Sequence, residues 1–121
     1  MRARVTVWTN TGDELESVKP DELTNVGESI HVYAGPVDGR GEDVFELLVC
    51  TPGWLASEVS RTGPMVGRHL LIVEKWDAVR VREKVVELFT QERGDDWAEL
   101  ALRLSRLGFW GFEDNQDKRA D

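Results

Sequence analysis

His31, His69 and Cys50 are the only histidines and the only cysteine in the chain, and with them its whole supply of soft or near-neutral titrating side chains. A nucleophilic thiol needs a base within hydrogen-bonding reach. Cys50 and His69, on neighbouring strands by the patterns below, are the one pair that could meet this. An unpaired cysteine inside an apolar strand instead behaves as a small buried hydrophobe, and the residues around Cys50 are apolar. His31 and His69 lack a third ligand at recognisable spacing, so no zinc site is expected. The neighbouring acids Glu42 and Asp43, Asp95 and Asp96, and Glu113 and Asp114 have the adjacency of solvated surface. A catalytic pair has to be opposed across a cleft with at least one raised pKa. Gly35, Gly39 and Gly41 belong to a turn with neither a following helix nor a suitably placed lysine, which excludes a phosphate cradle. The residues therefore describe a domain with no expected cofactor and no evident catalytic equipment, a Cys50/His69 hydrolase being the enzymatic alternative.

Charge says more than reactive groups do. The formal net charge is −8 and the pI near 4.8, which argues against nucleic acid and anionic membranes, since both demand excess Lys and Arg. A charged partner should be basic. Residues 1–46 hold ten acids against four bases and residues 91–117 seven against three, whereas residues 47–90 hold five against six. Such lopsidedness fits either a solubilising surface or an acidic face that steers toward a basic protein. Of the five tryptophans, most should be core, because each brings a large apolar area. Trp54 and Trp110, beside glycines and outside the regular elements, are candidate interface anchors, and Asp95, Asp96, Glu113 and Asp114 are candidate charged contacts.

The elements that would position these groups follow from periodicity. The chain of 121 residues, 40% hydrophobic, suits one domain over residues 1–114 with a polar tail at 115–121. Residues 43–55, DVFELLVCTPGWL, form the densest apolar run. Phe45, Leu47 and Val49 share one face of a strand, while Glu46, Leu48 and Cys50 share the other. Because both faces are mostly apolar, this strand should have material on each side, and Thr51 with Pro52 should end it. Strands are also expected over residues 3–9, 28–34 and 68–76. A long loop with one helical turn at most separates the first two, and a glycine-rich turn joins the second to the apolar run. Residues 53–67 offer a turn or two of helix. Residues 77–93 and 96–107 are amphipathic helices capped by Asp77 and Asp96, with Gly94 placed as a left-handed terminator and Gly108 as a stop. Residues 109–112, FWGF, would add a short edge strand or pack under the sheet. The expectation is an α+β fold: a mostly antiparallel four- to five-stranded sheet with two C-terminal helices packed on one face.

A single cysteine allows no internal disulfide and fits a reducing compartment, so the cytoplasm is expected. The N-terminal residues have no apolar signal core, and no stretch reaches the roughly 18 apolar residues of a membrane span. The protein is read as mature and soluble. Either a monomer or a homodimer through residues 3–9 is compatible with the pattern, Arg2 and Arg4 opposing edge pairing.

DVFELLVCTPGWL, GRHLLIVEKWD and DDWAELALRLSRLGFWGFED together resemble the immunity protein 8 family, small bacterial proteins encoded beside polymorphic or contact-dependent toxins. The resemblance runs over about residues 28–114. It implies a non-catalytic protein that binds a cognate toxin effector in the producing or sibling cell and blocks it, and an acidic inhibitor suits a basic nuclease-type toxin. The family motif WEFED stands here as Trp110, Gly111, Phe112, Glu113 and Asp114, with glycine at the first acidic position; Glu113 and Asp114 keep the remaining acids. An acidic binding or regulatory subunit is the non-immunity alternative.

Overall fold

A computed structural model describes residues 1–111. The strands β1 (Ala3–Thr9), β2 (Gly27–Pro36) and β3 (Asp43–Cys50) form an antiparallel meander. The helix α1 (Pro52–Thr62) then leads to β4 (Leu70–Ile72), and the helices α2 (Ala78–Thr90) and α3 (Trp97–Leu104) precede β5 (Phe109–Trp110). The sheet order is β1-β2-β3-β4, and β5 also pairs with β3. The fold is thus α+β, a mostly antiparallel five-stranded sheet with its helices mainly in the C-terminal half.

β3 is the hub. One edge meets β2 along its whole length. The other is divided: β5 lies antiparallel opposite Phe45 and Glu46, and β4 lies parallel opposite Leu48, Val49 and Cys50. The parallel pairing corrects the expectation of an antiparallel strand reached by a non-helical link. Parallel neighbours need a long crossover, usually a helix, and here α1 supplies it. Pro52, which ends β3, also begins α1, because a proline at the first helical position lacks only an amide that would have no partner there. His69 takes a positive φ of 62° immediately before β4, so that strand is shorter than the apolar run at 68–76 suggests.

One face of the sheet carries Val7, Ile30, Val32, Phe45, Leu47 and Val49, all buried. Against it pack Val81, Val85 and Phe89 of α2 and Leu100, Ala101 and Leu104 of α3, in one continuous cluster. The expected caps are in place: the Asp77 side chain accepts from the Arg80 amide at 3.2 Å and that of Asp96 from the Glu99 amide at 2.8 Å. Neither Gly94 nor Gly108 is a left-handed terminator, since α2 and α3 end earlier. Close approach is what excludes larger residues there. A Cβ on Gly94 would lie 2.7 Å from the Leu100 nitrogen, and one on Gly108 would lie 3.0 Å from Phe45 Cβ.

The second face differs from expectation. Among the described residues, the cover on this face is at its upper end, where the Trp54 ring of α1 lies on Gly27, close enough that a Cβ would fall 2.1 Å from it. Gly27 is the register partner of the fully buried Cys50. Thr51 fixes this corner. Its hydroxyl oxygen accepts from the buried Val26 amide at 3.0 Å and from the Trp54 amide at 3.4 Å, while its own amide donates to the Val26 carbonyl. Below the corner, Val44, Glu46 and Phe109 face outward and are exposed.

Two stability predictions follow. Thr51→Val removes the acceptor from a buried amide, so urea unfolding should show a loss of about 1–3 kcal/mol, while Thr51→Ser retains most of the stability. The Glu16 carboxylate accepts hydrogen bonds from Arg82, joining the 3-10 turn Leu15–Ser17 to α2 and lowering the Glu16 pKa below the usual glutamate range. A depressed folded pKa stabilises fully above the unfolded value and loses its effect as pH falls through the folded value. Thermal melts of Glu16→Gln should therefore show a small deficit at pH 7 that disappears at the acid end.

Candidate functional site

The acidic and aromatic groups singled out by the sequence lie at three places. Trp54, half-buried on Gly27, lines a shallow groove with Pro20, Asp21, Glu22 and Glu28. The groove is built by the loop between β1 and β2, held down by Leu15 and Val26, both buried. Asp95 and Asp96 are exposed at the link from α2 to α3. That link is tied to the opposite end of β3, because Trp97 Nε1 donates to Asp43 Oδ2 at 2.7 Å. The ends of an eight-residue strand are roughly 23 Å apart, so Trp54 and the aspartate pair do not converge on one spot.

Trp110 is in the core. It is 5% exposed and stacks on Phe45 with ring centroids 6.2 Å apart. Residues 109–110 form the short strand that was one of the two placements expected for FWGF, and its pairing with β3 turns the indole inward. Glu113 and Asp114 lie outside the described residues. Asp96 accepts from its helix amide, as described, and Glu99 returns a longer bond of 3.4 Å from the Asp95 amide. The Asp96 side chain is therefore structural as well as charged.

The reactive groups do not form a pair. Cys50 is fully buried, and burial raises its thiol pKa. A raised pKa keeps the sulfur protonated and poorly nucleophilic. His69 bonds through Nε2 to the Ser105 carbonyl at 2.8 Å and sets its ring edge toward Phe109. His31 contacts Glu46 at 3.2 Å. Among the described residues, no group of three His, Cys, Asp or Glu side chains is arranged to hold a metal ion, and no helix is long and apolar enough to cross a membrane.

Residue-by-residue reading of the sequence missed the outward row of the sheet. Trp8, His31, Glu46 and Phe109 are successive register partners across β1, β2, β3 and β5. Tyr33 and Val44 form the adjoining pair. Its signal in the sequence is apolar residues at both parities of the strands, a pattern that equally fits burial on both faces.

Fold and surface together define a small α+β domain whose distinctive groups are displayed on an acidic exterior. A model of the family described as immunity protein 8 matches residues 3–115, nearly the whole chain, and the chain belongs to that family. No curated protein and no solved structure matches it. The match begins at β1, so the first strand is part of the family domain.

The burial of Cys50 makes a direct prediction. A thiol reagent at neutral pH should leave the native protein essentially unlabelled, with one equivalent reacting after denaturation. Rapid native labelling would show that the corner around Thr51 opens readily.

Proposed function

We propose that this protein is the immunity partner of a bacterial toxin effector, binding it in the cytoplasm by protein–protein contact and blocking it without catalysis of its own. Membership of the immunity protein 8 family carries this reading. The net charge of −8 supports a basic toxin, a nuclease being one suitable kind, because opposite charge accelerates encounter and rejects wrongly charged partners. Long-range steering needs no single contact site, which suits acids distributed over separate parts of the surface. In this reading Asp95, Asp96, Glu113 and Asp114 attract, and the partly exposed Trp54 ring gives the adjoining groove an apolar anchor. The inward-facing Trp110 instead holds the core that displays these groups. A buried, protonated Cys50 is compatible with a reducing cytoplasm and has no role in the inhibition.

The test is co-expression with the product of the neighbouring gene, scored first for toxicity on its own. Growth should be rescued, and the two proteins should co-purify as a complex whose association slows as salt rises. A cognate toxin that is acidic would remove the charge argument, and failure of both rescue and complex formation would remove the immunity reading. Charge and capping can be separated at α3. Asparagine caps a helix about as well as aspartate, so Asp96→Asn together with Asp95→Asn should lower the association rate severalfold at low salt while thermal stability stays nearly unchanged. Stopped-flow mixing at two ionic strengths measures this.

A further inference from the structure

We infer that the outward face of the sheet is the surface on which the toxin docks, and that it receives a basic patch of the toxin, with arginine or lysine side chains laid over its aromatic rings. The inference rests on the immunity reading above and names the surface that would serve it.

A sheet covered by helices on one side ordinarily turns polar residues to the other. Here the second side carries Trp8, Tyr33, Val44, Leu48, Ile72 and Phe109, placed there by the strand register. Phe109 is 43% and Ile72 57% exposed. Among the described residues, α1 covers the Gly27 end of this face through Trp54. Val44, Ile72 and Phe109 are exposed and Trp8, Tyr33 and Leu48 partly so, and apolar side chains gathered on one face mark a place where another molecule binds.

Charge identifies the occupant. Glu46 stands in the middle of the face with its side chain 52% exposed, against His31, and Glu42 stands at its lower end, 3.2 Å from Arg4. Glu42 and Glu46 against Arg4 leave a formal −1 among these carboxylates and the guanidinium. Trp8, Tyr33, Thr6 and Glu42 together line a shallow depression. Two aromatic rings beside a carboxylate suit a guanidinium or ammonium group, which gains attraction to the ring faces as well as an ion pair. A second copy of this chain would bring one molecule of net charge −8 against another, so electrostatics favours a basic partner over self-association. Both pairs that hold Glu42 and Glu46 are exposed. Exchange of Arg4 for a cation supplied by the toxin therefore costs little.

The experiment uses the full-length protein and the purified toxin domain encoded beside its gene. Wild-type rescue and binding are measured first; if both are absent, the immunity reading falls and takes the docking surface with it. Given wild-type binding, Trp8→Ala combined with Tyr33→Ala should weaken the complex by about 30-fold or more, as removal of central aromatic anchors does. Glu46→Lys tests the same face without removing a packed ring and should weaken binding at least tenfold at low salt. Glu87→Lys on the exposed face of α2 makes the same charge change away from the sheet, so affinity lost at Glu46→Lys beyond its effect belongs to the sheet face. Circular dichroism and thermal melts confirm that each variant is folded. Sheet-face variants that bind within twofold of wild type would overturn the assignment. So would sedimentation showing a toxin-free wild-type dimer that Trp8→Ala with Tyr33→Ala converts to monomer, because a second copy would then cover the face.

Discussion

Phe45 is the contact on which the rest of the architecture turns. Its ring meets Phe89 of α2 edge-on at 5.7 Å and Trp110 of β5 face-on at 6.2 Å, joining the middle of the sheet to a helix and to the last described strand. Aromatic pairs in these orientations add to the area they bury. Gly108 lets the returning chain pass against the base of this ring, and the turn there delivers β5 to the open half of the β3 edge. Thr51 has a comparable role at the other end of β3, where one hydroxyl oxygen serves both the entry to β2 and the first turn of α1. The helix-covered core and the α1 corner are thus organised from opposite ends of a single strand.

Much of this was legible in local sequence, for physical reasons. The extents of β1, β2 and β3 follow from alternation, and α2 and α3 follow from three- and four-residue spacing, with Asp77 and Asp96 marking their starts. These features depend on neighbours along the chain. What was not legible depends on distant partners or on a residue with two uses. Pro52 ends a strand and opens a helix, and a proline closing an apolar run reads first as a terminator. The parallel direction of β4 is settled by the path of α1, which alternation cannot report. The burial of Trp110 is settled by Phe45 and β3, far away along the chain. Cys50 was correctly weighted toward burial because the apolar strand pattern outweighed its potential chemistry.

The outward face shows the limit of reading polarity as burial. Apolar residues at both parities of β3 imply that each side avoids water, but they do not say whether the chain itself supplies the cover. On one side α2 and α3 do so. On the other, α1 reaches only the corner at Gly27. The same ambiguity affects the tryptophans. Trp76 and Trp110 belong to the interior, whereas Trp8, Trp54 and Trp97 are only partly covered, a distinction that composition cannot make. Acidic residues distributed around this partly apolar surface combine two ranges of attraction: charge acts across solvent, while ring and methyl contacts act only after water has been displaced.

The divided edge of β3 also sets a schedule. Among the described residues, its upper half is closed by residues 70–72 and its lower half by residues 109–110, so the central strand is made early and completed late. At bacterial elongation rates of about 5–20 residues per second, roughly 5–20 s separate the start of translation from synthesis of Trp110. Until then Phe45 lacks one of its two aromatic partners and half of a strand edge has no neighbour. Nascent chains exposing such an edge are open to mispairing with one another, which makes synthesis time, as well as final stability, a determinant of how quickly a cell accumulates the finished fold.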